Sequence, residues 1–100
     1  MTTQPTAAPR FRGTPVDLVV DVRSKVEFWM GHLPGAVSLP VERVVEGVSA
    51  RAGISPSSRI LVYCAGGIRS ADAAAQLRAA GYRNVVDGGG MDATWTEFTP

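Results

Sequence analysis

Arg59-Ile60-Leu61-Val62-Tyr63-Cys64-Ala65-Gly66-Gly67-Ile68-Arg69-Ser70 is the stretch whose reading decides the fold. Its first half is apolar from Ile60 to Tyr63, the texture of a strand buried on both faces. Gly66-Gly67 then interrupts the run. Ser70 to Ala80 is Ala-rich with Leu77, and Gly81 supplies a helix stop. A strand, a glycine turn and a helix make half of a βαβ unit, and the alternation continues in both directions. Upstream, Val16, Leu18, Val19, Val20 and Val22 form a β-branched strand. Ser24-Lys25-Val26-Glu27 has the S-x-x-E spacing of a capping box, which predicts a short helix from Lys25 to Met30, ending at Gly31. Pro34-Gly35 marks a turn before a second strand, Ala36 to Leu39. Val41, Val44, Val45 and Val48 recur at i, i+3, i+4 and i+7, one face of a helix. Downstream, Asn84 to Asp87 reads as a fourth strand, Gly88-Gly89-Gly90 as a break, and Met91 to Phe98 as a last helix. Strands alternating with helices predict the α/β class: a small three-layer domain with a central, mostly parallel sheet of about four to five strands and helices on both faces.

Length and composition bound the rest. One hundred residues suit a single domain, and 45% apolar with 19% charged residues is a globular composition. Residues 1–15, with Pro5, Pro9, Gly13 and Pro15, read as a flexible arm carrying at most a short strand near Phe11, so the domain is expected over 16–100. A net charge of +1 lacks the basic excess of a nucleic-acid binder. No apolar run reaches the roughly 18–20 residues needed to span a bilayer. The N-terminus lacks the apolar core of a secretory signal, and with one cysteine there is no internal disulfide; both point to the cytoplasm. One Cys and one His do not make a conventional zinc site, so no metal is expected.

In an open parallel sheet, sites form beyond the carboxyl ends of the strands, and Cys64 stands there. Glycines let the following loop curl, and a curled loop aims its N–H groups inward as an anion nest. The positive end of the next helix points the same way. A thiol so placed is expected to be acidic, and Arg69 adds a charge able to fork onto an oxyanion. The plainer account of Cys64 alone is a buried structural thiol. Gly66, Gly67, Arg69 and the following helix favour a nucleophile.

Asp21-Val22-Arg23, Glu27-Phe28, Gly31-His32-Leu33-Pro34-Gly35-Ala36, the loop from Cys64 to Ser70, Gly88-Gly89 and Trp95 follow one another in order. Together they resemble the rhodanese family of sulfurtransferases from about Leu18 to Trp95. The resemblance implies a rhodanese-like fold. It implies that Cys64 carries a sulfane sulfur as a persulfide, and that Ala65, Gly66, Gly67, Ile68, Arg69 and Ser70 line the pocket around it. Arg69 would recognise the donor's anionic group, and Ser70 would support the loop. Four residues separate Cys64 from Arg69, whereas similar phosphatases and arsenate reductases place five there, so the shorter ring resembles the sulfur-transfer version. Asp21, Arg23 and Glu27 either touch substrate or frame the neighbouring loops, and the frame is the simpler reading. His32 is the only imidazole; the resemblance makes it structural rather than a general base. Phe28, Trp29 and Trp95 read as core.

The implied activity moves sulfur from thiosulfate, a persulfide or a polysulfide to cyanide or a thiol, with no cofactor. The single cysteine means that the acceptor thiol comes from another molecule, small or protein. The rival readings are a non-catalytic or carrier module and, on the same scaffold, a phosphatase or arsenate reductase.

Overall fold

The structure, a computed structural model, describes residues 8–100. Residues 1–7 of the expected arm lie outside the described residues. Four parallel strands form the central sheet in the order β4-β3-β5-β6: β3 is Leu18–Asp21, β4 Val37–Ser38, β5 Ile60–Cys64 and β6 Val85–Gly90. Leu18 to Asp21 pair with Ile60 to Tyr63 in register, and β5 pairs with β6 on its other side. Every residue of β3 and β5 is buried, as expected of strands covered on both faces.

Two apolar layers cover the sheet. On one face, Val20, Ile60, Val62 and Val85 meet Val44 and Val48 of α2 (Val44–Ser49) and Ala73, Ala74 and Leu77 of α3 (Ile68–Ala79). On the other, Val19, Leu61 and Tyr63 meet Phe11, Leu33 and Phe98, with Phe28 of α1 (Lys25–Trp29) and Met91 of α4 (Met91–Thr96) packed against them. Helices therefore flank the sheet on both faces.

Four features differ from the sequence reading. The boundary drawn at Val16 falls inside a small antiparallel sheet, in which β1 (Arg10–Phe11) pairs with β2 (Thr14–Pro15) and with β7 (Phe98–Thr99). Phe11 is fully buried in the second layer, so residues 10–15 are domain, not arm. The valine helix begins as a 3-10 turn at Val41–Arg43 and becomes α-helical from Val44. Gly88-Gly89-Gly90 continues β6 rather than ending it: a bulge inserts Gly88, so that Val62 pairs with Asp87 and Tyr63 with Gly89. Trp29, expected in the core, is 88% exposed, and Trp95 is half exposed beside Phe98.

Candidate active site

Asp21, Cys64 and Gly90 end β3, β5 and β6, and so bring their loops to one edge of the sheet. The turn from Cys64 into α3 is closed by Gly67, whose φ of +104° is a conformation that side chains resist. Gly66 has neither a positive φ nor a close neighbour, so only the second glycine is required by geometry. Gly67, the N-cap residue of α3, has no side chain with which to cap it. The Cys64 sulfur takes that place: the Gly67 N–H donates to Sγ at 2.9 Å and the Ser70 N–H, in the first helical turn, at 3.3 Å.

The sulfur is almost fully buried, and burial pushes its pKa up. The Ser70 hydroxyl and the N–H groups of Ser70, Gly67 and Gly66 pull it down, and their sum leaves the thiol below its ordinary 9.0. The Ser70 hydroxyl also reaches the Gly67 carbonyl at 3.1 Å and the Gly89 carbonyl at 3.4 Å, tying the loop to β6.

The end of β6 is a part of the site that the sequence reading misplaced. A Cβ on Gly90 would lie 2.6 Å from the Ala65 carbonyl oxygen, and one on Gly88 would lie 2.5 Å from the Thr94 hydroxyl. Bare backbone here lets β6 close against the loop. Thr94, fully buried, donates to the Gly90 carbonyl at 2.8 Å and fixes the strand end to α4. The signal was the glycine run itself, in which a break and a close approach of backbones look alike.

The residues around the loop fall into two frames. Asp21 accepts from the Arg23 backbone N–H at 2.9 Å and from its guanidinium at 2.7–3.0 Å, all buried. The same guanidinium donates to the Gly31 carbonyl at 2.6 Å, which ties β3 to the exit of α1. Asp21 and Arg23 thus satisfy one another, in the arrangement of a frame. Glu27 closes the capping box with Ser24. Its two oxygens also accept from Arg69 at 2.7 and 3.1 Å. From sequence, Arg69 is expected to fork onto a donor's anion; in the structure a resident carboxylate holds both arms of that fork. The Arg69 pair is the largest cause that lowers Glu27 to about 2.

His32 stacks on Phe28 with ring centres 3.7 Å apart, and its Nδ1 lies 2.8 Å from the Phe28 carbonyl. Both of these contacts are to Phe28 of α1 and not to the Cys64 loop. The loop's other side chains are small or apolar, and Ile68 is 86% exposed.

A family model, the Rhodanese-like domain, matches residues 4–95. The chain belongs to the rhodanese-like domain family. Among solved structures, an E. coli rhodanese with anions superposes with a TM-score of 0.73 at 27% identity, over 82% of this chain and 95% of that one. The Alr3790 protein of Anabaena sp. superposes with a TM-score of 0.72 at 33% identity, over 84% and 74%. Among curated proteins, the tRNA uridine(34) hydroxylase of Sodalis glossinidius is 34% identical over 80 residues, which is 75% of this chain and 23% of that protein. This rhodanese-like chain spans between 22% and 25% of the length of such relatives. No helix among the described residues is long and apolar enough to cross a membrane.

Proposed function

We propose that this rhodanese-like domain is a sulfurtransferase that carries a sulfane sulfur on Cys64. The observation that supports this most directly is the sulfur's setting: buried, acidic, and faced by N–H groups of Gly66, Gly67 and Ser70. A cradle of N–H donors stabilises a negative sulfur without a base, whether the thiolate or the persulfide anion that replaces it. The thiolate attacks the outer sulfur of a donor. A Cys64–sulfur bond forms, the donor's sulfur–sulfur bond breaks, and its electron pair leaves on the donor as sulfite or a thiolate. An acceptor, cyanide or a thiol, then takes the outer sulfur and restores the Cys64 thiolate. With no second cysteine among these 100 residues, the acceptor thiol lies outside this domain, as a small thiol or a protein cysteine. No cofactor, metal or nucleic acid enters this scheme, and the cytoplasm is the compartment proposed for it.

The resemblance to sulfurtransferases, whose loops share the four-residue spacing between Cys64 and Arg69, favours one added sulfur over a phosphate or arsenate. The hydroxylation named for the curated relatives belongs to proteins about four times longer than this match.

Intact mass after treatment with an alkyl persulfide tests the reading. The wild type gains one sulfur and releases it to cyanide, and Cys64→Ser gains none. The Cys64 alkylation rate titrates with a midpoint below 9.0. A wild type without the added sulfur overturns the proposal, and so does a Cys64→Ser variant that still transfers.

A further inference from the structure

The Arg69–Glu27 pair bears on which donor this site accepts. Thiosulfate brings a sulfonate head with a double negative charge, and such a head is held by free cations or forked donors. The loop offers one cation, Arg69, and both of its arms are on Glu27 at 2.7 and 3.1 Å. Arg23, the nearby alternative, is buried on Asp21 and the Gly31 carbonyl. Lys25 lines a separate pocket of about 400 Å³ with Val26, Phe28, Trp29 and Ser38, which includes no residue of the Cys64 loop. Ile68 is the large apolar side chain that the loop presents to solvent.

We propose that Glu27 sets donor specificity by occupying Arg69, so that the site disfavours thiosulfate and takes sulfur from a persulfide whose carrier is uncharged beside the reacting sulfur. This rests on the sulfur-transfer reading above and narrows its donor. The Cys64 thiolate attacks the outer sulfur of R–S–SH. The Cys64–sulfur bond forms, the S–S bond of the donor breaks, and R–S⁻ leaves with the electron pair and takes up a proton. Two electrons move with the bonds and no separate oxidant or reductant is required. Glu27 is a positioning residue in this scheme: it acts through Arg69 and touches no reacting atom.

Glu27→Gln separates its two roles. Glutamine keeps the Oε1 that accepts from Ser24 and so keeps the capping box, while it removes the negative charge and the second oxygen, Oε2, that hold the Arg69 fork. The probes are thiosulfate and the persulfide of N-acetylcysteamine, which has no charge apart from its sulfur. In the wild type the persulfide has the higher kcat/KM. In Glu27→Gln the KM for thiosulfate falls about tenfold, the gain of one charge-assisted contact, with kcat little changed, and the KM for the persulfide stays within about twofold. Adding Arg69→Gln to that variant removes the gain. A damaged loop would raise both KM values together, so it is distinguished from the proposed role. Cys64 that loads from both donors, with a thiosulfate KM that does not fall in Glu27→Gln, overturns the role of Glu27 and leaves sulfur transfer standing. No loading from either donor overturns both.

Discussion

Two guanidinium–carboxylate pairs stand beside the Cys64 loop, equal in their closest distance and opposite in setting. Asp21–Arg23 closes at 2.7 Å with side chains 0% and 8% exposed; Glu27–Arg69 closes at the same distance with 35% and 38% exposed. Equal distances do not make equal contributions. Water screens the second pair, so its worth to stability is small, whereas the first has no solvent to fall back on if a partner is lost. The buried pair is therefore architecture: it joins the end of β3 to the exit of α1 through Gly31. The half-exposed pair is an electrostatic setting of the loop, one that solvent and competing ions reach.

Asp21→Asn breaks this comparison at its strong end. It keeps the shape and leaves the Arg23 charge buried without a counter-ion. The expected loss is about 3–5 kcal/mol, the cost of breaking a buried pair from one side. Folded domains have roughly 5–15 kcal/mol in all, so the urea midpoint drops sharply. A loss below about 1 kcal/mol would mean that water reaches Arg23 and that the two pairs do not differ in kind.

Gly90→Ala asks whether the loop is held by either pair or by backbone contact with β6. The new methyl meets the Ala65 carbonyl at 2.6 Å. Overpacking of this kind costs about 1–3 kcal/mol. The displaced carbonyl also pulls on the turn that aims Gly67 at Sγ, so the Cys64 alkylation midpoint rises. Gly66→Ala, in open space without a positive φ, leaves both readings near wild type. If Gly90→Ala behaves like Gly66→Ala, backbone contact with β6 does not position the thiol.

The same contrast explains what was legible in the sequence. Ile60 to Tyr63 and Leu18 to Val20 announce buried strands because each position is apolar, whichever face it takes. Cys64, Gly67 and Ser70 are neighbours in sequence, so the cradle is local and readable. Asp21 and Arg23 lie two residues apart and were readable as a frame. Glu27 and Arg69 are 42 residues apart, and no local pattern pairs them; Arg69 alone looks like a free cation. Trp29 sits on a helix of five residues, too short for its periodicity to tell a buried face from an exposed one. Gly88 to Gly90 have no side chains with which to show alternation, so a bulged strand looked like a break. Phe11 lies among prolines and glycines, and only its distant partner Phe98 makes it core.

The smallest expected effect sharpens the weak end of the comparison. Glu27 titrates near 2 in the folded protein against an ordinary 4.5, chiefly through the Arg69 hydrogen bonds. A carboxyl with a depressed folded pKa stabilises the fold above its unfolded pKa. Between 4.5 and 2 the unfolded chain binds the proton first, so stability falls with pH through that window. Below 2 both states are protonated and the contribution is gone. Because the pair is more than a third exposed on the arginine side, its worth is about 0.2–1 kcal/mol. The measurement is the difference in unfolding free energy between wild type and Glu27→Gln, which lacks the titrating group. That difference should be flat from pH 7 to 5, shrink from pH 4.5 toward 2, and be smaller throughout in high salt. A difference that stays constant through the acid window would mean that the carboxylate charge contributes nothing to folding. A difference of several kcal/mol would mean that the Glu27–Arg69 pair is as closed to water as Asp21–Arg23, and the distinction between architecture and setting would fail.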